Sequence, residues 1–202
     1  MKIPKFSLSG IIILLFLIST LVSCSNSSSD SLLPNSNPSS EEIIESYIGP
    51  KVDFNGDGKA DIFLRNYITG ENSSWLTDGK KIIQSAFYES VPPLSGENLI
   101  ALEDFNGDNH TDMLWYNINS GAISVWLIDG DNIVEKITYG TEDPNSGRLL
   151  IAIDDFNGDG KADLLWYDSN SGTVSSWLLG GNNVVEKITY GTEDPNSGRL
   201  LI

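Results

Sequence analysis

Oxygen-bearing side chains recur at every second position in three short stretches of this chain: Asp53–Asp61 (DFNGDGKAD), Asp104–Asp112 (DFNGDNHTD) and Asp155–Asp163 (DFNGDGKAD). With the first Asp as position 1, side-chain oxygens fall at positions 1, 3, 5 and 9. These are Asp53, Asn55, Asp57 and Asp61; Asp104, Asn106, Asp108 and Asp112; and Asp155, Asn157, Asp159 and Asp163. Alternate residues of a tightly curled loop can turn their oxygens inward, and the backbone carbonyl of position 7 (Lys59, His110 or Lys161) can join them. Hard oxygen ligands, three of them carboxylates, suit Ca²⁺ better than Mg²⁺ or a transition metal. Up to three ions are expected, one per loop. Glycine at position 6 (Gly58, Gly160) permits the positive φ that such a curl needs. The second loop has Asn109 there, the next most tolerant residue, so it is expected to bind more weakly. Without a cation each loop would hold three carboxylates at close quarters, which is repulsive.

Such a loop needs elements on either side of it. An EF-hand would supply two helices and a bidentate Glu at position 12. Position 12 here is Leu64, Trp115 or Trp166, and the flanks read as strands. Dockerin-type loops fail for the same reason. The loops belong instead to a repeat with a spacing of 51 residues that holds without insertions. Trp75, Trp126 and Trp177 keep step with it, as do Tyr88, Tyr139 and Tyr190, and Gly79, Gly130 and Gly181. Between 104–151 and 155–202 about 35 of 48 positions are identical; the first unit is more diverged. In the third unit, runs rich in Val, Ile, Leu, Trp and Tyr predict strands at Arg148–Ile153, Asp163–Tyr167, Val174–Leu179 and Val184–Tyr190. Ser169–Gly172 and Gly180–Asn183 read as hairpin turns and Asp194–Gly198 as the longer link between units. A short helix is possible only at Glu41–Ser46. Pro50 marks the first strand of the first unit as an edge or irregular.

A carboxylate at position 9 entering a strand resembles the calcium loops of the FG-GAP/VCBS repeat family, also found in the integrin-α propeller. The resemblance rests on DFNGDGKAD, the following DLLWYD and the later SSWLLGG, and it covers all three units. It implies an all-β fold of β-propeller-type blades, each of four antiparallel strands, with the ion in a loop between two strands. Three repeats of 51 residues make a partial or truncated propeller, since propellers close with about four to eight blades. The units are expected at about 47–97, 98–148 and 149–199, with the start of a fourth up to residue 202.

Residues 1–23 read as an export signal: Lys2 and Lys5, then the apolar run Ile11–Val22, too short to span a bilayer comfortably. Leu21-Val22-Ser23-Cys24 resembles the lipobox of bacterial lipoproteins, which implies acylation of Cys24, the only cysteine. Residues 24–46, rich in Ser, Asn and Pro, read as a disordered tether. The resulting expectation is an exported chain, lipid-anchored in the cell envelope at the outer membrane or cell surface. The net charge is −16, and −18 once Lys2 and Lys5 are removed, leaving 10 basic against 28 acidic residues. Such a surface repels phosphate backbones and excludes nucleic-acid binding. Three bound Ca²⁺ would bring it to −12.

His110 is the only histidine and has no repeated partner. No G-x-S-x-G, HExxH or phosphate-cradling glycine loop is present, so the chain is not expected to be an enzyme. The leading expectation is a calcium-binding, non-catalytic binding or adhesion module with an extracellular protein or glycan as partner. One alternative is a carbohydrate-binding, lectin-like propeller whose Trp residues stack on sugars; packing between blades is the plainer role for those indoles. The other is the accessory repeat region of a larger secreted enzyme.

Overall fold

The runs of β-branched and aromatic residues between the loops do form strands. A computed structural model describes residues 51–194 and residue 197. The export signal, Cys24, the tether, the short helix at 41–46, Pro50 and the start of a fourth unit lie outside the described residues. All regular structure within them is β: β1 (Ile62–Arg65), β2 (Asn72–Thr77), β3 (Ile82–Tyr88), β4 (Glu97–Glu103), β5 (Asp112–Asn117), β6 (Ala122–Asp129), β7 (Asn132–Thr141), β8 (Arg148–Asp154), β9 (Asp163–Asp168), β10 (Thr173–Leu179) and β11 (Val184–Thr192).

The strands group by repeat into three antiparallel meanders: β1-β2-β3, β4-β5-β6-β7 and β8-β9-β10-β11. We call these units 1, 2 and 3. The four strands expected in unit 3 are present, each within about two residues of its expected ends. Units 2 and 3 are built alike down to their irregularities. The register shifts at Leu99/Ala101 and Leu150/Ala152, at Ile123/Ser124 and Val174/Ser175, and at Leu127/Ile128 and Leu178/Leu179. Such bulges bend and twist a strand at a fixed place, so the identical positions give the two sheets the same curvature.

In unit 1 the residues Lys51 and Val52, which correspond to Leu102 and Glu103 at the end of β4, form no strand. One bond of the equivalent ladder survives, from the Asp61 amide to the Val52 carbonyl at 2.6 Å.

The core lies between the sheets, in two layers. One joins units 1 and 2 through Phe54, Leu76, Tyr88, Met113, Trp115, Trp126 and Ile128. The other joins units 2 and 3 through Phe105, Leu114, Ile123, Val125, Leu127, Leu164, Trp166, Trp177 and Leu179. Successive residues of a strand point to opposite faces, so in β5 Met113 and Trp115 face unit 1 while Leu114 faces unit 3. The middle sheet is therefore buried on both sides, and this explains the unbroken apolar run Met113-Leu114-Trp115-Tyr116. Four of the five indoles (Trp115, Trp126, Trp166 and Trp177) are buried in these layers. They pack in pairs, Trp115 with Trp126 at 4.8 Å and Trp166 with Trp177 at 5.4 Å between ring centroids.

Candidate metal centre

The three acidic stretches are curled loops. The second and third join the first two strands of their units, β4 to β5 and β8 to β9; the first leads into β1. Each curl is held by its own side-chain oxygens. The position 1 carboxylate sits inside it and accepts amides from further round. Asp53 takes those of Asp57 (3.2 Å) and Gly58 (2.9 Å). Asp104 takes Gly107 (2.7 Å) and Asn109 (2.8 Å), and Asp155 takes Gly158 (2.6 Å) and Gly160 (2.8 Å). At position 3, Asn55, Asn106 and Asn157 each accept the amide two residues on. At position 5, Asp57, Asp108 and Asp159 accept the amides of Lys59, His110 and Lys161. These are successive Asx-turns. The amides around Asp155, that of Gly160 first, hold its carboxyl below the usual range.

This curl demands left-handed backbone at position 6. Gly58 has φ +82°, Gly160 has φ +84°, and Asn109 stands at +67° as the only such non-glycine among the described residues.

The position 9 aspartates do something further. Asp112 Oδ2 accepts the Phe105 amide at 2.9 Å and its Oδ1 accepts the Ile128 amide at 2.9 Å. Asp61 takes the amides of Phe54 and Thr77, and Asp163 those of Phe156 and Leu179. One carboxylate thus fastens the start of its loop to the third strand of its sheet, or to β2 in unit 1. Burial pushes Asp112 up to about 7; Asp108 and Asp104 add to the rise while the two amides oppose it. Asp163 is raised by burial in the same way.

Position 7 was expected to contribute only its carbonyl, but its side chains act as well. Lys59 Nζ lies 2.9 Å from Asp57 and Lys161 Nζ 3.5 Å from Asp159. The hydrogen bond from Lys59 holds the Asp57 carboxyl below its usual range. His110 Nδ1 is 3.6 Å from Asp108 and 3.9 Å from Asp129.

The same side chains pack on the preceding loop. A Cβ on Gly56 would lie 2.4 Å from the His110 ring, and one on Gly107 3.3 Å from Lys161. Glu103, which the sequence did not single out, lies beside the first two loops in a groove shared with Asp53, Asp104 and Asp108. Burial, with Asp154 and Asp104 nearby, pushes it up to about 7.

The donor set fits a hard divalent cation: each loop carries three carboxylates and an amide oxygen, and a carboxylate oxygen that accepts one amide keeps a second lone pair. Among the described residues, no three carboxylate or imidazole groups converge closely enough as they stand to hold one ion.

Residues 104–166, from the first aspartate of the second loop into β9, match the FG-GAP-like repeat family. That stretch is similar to an FG-GAP-like repeat. The matched stretch spans one complete 51-residue period with both of its loops, and the first unit repeats the loop motif in the same register. No curated protein matches the chain.

Proposed function

We propose that these FG-GAP-like repeats form a calcium-stabilised, non-catalytic binding or adhesion module, exported and tethered to the cell envelope through a lipid on Cys24. The observation that carries the calcium reading is the thrice-repeated curl, with oxygens at positions 1, 3, 5 and 9 and left-handed backbone at position 6. In this reading Asp53, Asp104 and Asp155 anchor the ion inside the curl. Asn55, Asn106 and Asn157 complete it with Asp57, Asp108 and Asp159, and the position 7 carbonyls join them. Asp61, Asp112 and Asp163 tie the ion to the sheet. Bound calcium supplies charge neutralisation and cross-linking. Lys59 and Lys161, paired with Asp57 and Asp159, would have to give up those carboxylates to an ion held there.

A non-catalytic role agrees with the construction of the loops, whose acidic groups are engaged with their own backbone. The sugar-stacking alternative loses its main support in the burial of four of the five Trp side chains.

Thermal unfolding tests the calcium reading. An ion present at 100 times its Kd adds about 2.7 kcal/mol per site, so the melting temperature should rise clearly with calcium and fall back with chelator. A melting temperature indifferent to both would refute it.

A further inference from the structure

The junction of units 1 and 2 and that of units 2 and 3 repeat the same packing, but they differ in charge beside one tryptophan. In the first, the Lys136 ammonium lies over the Trp126 ring at 3.9 Å and meets the Glu89 carboxylate of unit 1 at 2.5 Å. In the second, Lys187 lies over the Trp177 ring at 3.5 Å in the same way. The residue in step with Glu89 is Gly140, which brings no carboxylate. A Cβ on Gly140 would rest 3.6 Å from the Trp177 ring, and its φ of +151° is one that side chains rarely adopt.

A cavity of about 290 Å³ opens at this place in the second junction. Trp177 is paired with Lys187, and Ser175 with Thr189 and Trp166, so these side chains share the face of the sheet that is turned to unit 2. Lys187 and Thr189 are exposed and give the cavity its way to solvent.

The other charges around the cavity are already engaged. Arg148, in step with Glu97 of the first junction, donates to Glu142 at 2.7 Å and to Ser175 at 2.8 Å. Asp168 accepts the amides of Asn170 and Ser171 in its own turn. No described carboxylate forms an ion pair with Lys187; Glu142, held by Arg148, acts on it only from a distance. Burial holds the Lys187 ammonium below the usual lysine range. An ammonium partly withdrawn from water gains more from an anion than a fully solvated one. The remaining lining is rich in hydroxyls, from Thr173, Ser175 and Thr189, which both donate and accept hydrogen bonds.

We propose that this groove binds a small hydroxy acid, whose carboxylate takes at Lys187 the place that Glu89 takes at Lys136. The hydroxyls of the ligand meet the Thr and Ser side chains of the lining. The first junction is closed to such a ligand, because Glu89 already occupies Lys136 and Glu97 stands where Arg148 does. The site uses none of the loop carboxylates.

The test is a calorimetric titration of the full chain in mild detergent at saturating calcium. The probe is D-glucuronate, with D-glucose as its uncharged analogue. Saturable uptake of glucuronate at one site per chain is expected, with glucose bound at least about tenfold more weakly. Lys187→Met keeps the apolar stem over Trp177 and removes the charge; it should weaken glucuronate binding by a similar factor. Lys136→Met should leave it unchanged. No saturable uptake by the native chain, or equal binding of the two probes, overturns the proposal. So does undiminished binding by Lys187→Met, which would place glucuronate on loop-bound calcium, or an equal loss in both lysine variants. Both lysines are exposed, and an unchanged melting temperature checks that each variant folds; Lys187→Gln replaces Lys187→Met if it does not. Calcium dependence of melting is read separately, so a failed titration leaves the metal reading standing.

Discussion

At the scale of single residues, the position 9 aspartate does more than its ligand spacing suggests. Asp112 is wholly buried and both of its oxygens accept backbone amides. Asp112→Ala would strand the Phe105 and Ile128 amides in the core, each costing about 1–3 kcal/mol. A loss of about 2–5 kcal/mol is therefore expected, and urea unfolding in chelator should show it. A residue serving only as a metal ligand would leave calcium-free stability unchanged, so this experiment separates the two roles. The ligand spacing and the need for positive φ at position 6 were legible in the sequence, down to Asn109 as the tolerated exception. The staple was not, because its amide partners at Ile128 and Leu179 are 16 residues away and carry no side-chain signature.

At the scale of elements, the hairpin turns show how closely unit and backbone are matched. The Gly121 carbonyl accepts the Glu142 amide at 2.9 Å, and the same bond recurs between Gly70 and Val91 and between Gly172 and Glu193. A Cβ on Gly121, at φ +75°, would lie 2.1 Å from the Glu142 carbonyl oxygen. Gly130, at φ +59°, has open space around it. Gly130→Ala should thus cost only the left-handed backbone penalty of about 1–2 kcal/mol. Gly121→Ala must in addition push two chain segments apart, and is expected to lower the melting temperature clearly further. Equal losses at the two sites would contradict the packing described.

The strands of unit 3 were legible because their β-branched and aromatic runs are bounded by Gly, Asn and Ser. The bulges were not, since an extra residue in an apolar run leaves the composition unchanged. Pro50, the residue that argued for an irregular first strand in unit 1, lies outside the described residues.

At the scale of the whole molecule, the units are joined by apolar layers and by a few polar bonds that repeat. Tyr139 links unit 2 to the Gly181 carbonyl, and burial raises its hydroxyl well above the usual tyrosine range; Tyr88, similarly buried, is pushed up to about 12. Tyr139→Phe removes that bond and leaves a carbonyl with one partner fewer. A loss of about 1 kcal/mol in urea unfolding is expected. The conserved step of Tyr88, Tyr139 and Tyr190 along the chain was visible in the sequence. That the hydroxyls cross to the next unit was not, because periodicity gives the interval without the direction in which a side chain points. The repeat also accounts for part of the acidity: nine of the 28 acidic residues sit in these three loops. The central claim is that these loops hold calcium, and counting the ions tests it most directly. Equilibrium dialysis of the full chain against calcium should approach three ions per chain, the second loop filling last. The triple substitution Asp57→Asn, Asp108→Asn and Asp159→Asn should sharply weaken that binding. No saturable uptake by the native chain, or uptake unchanged by the triple substitution, would contradict it.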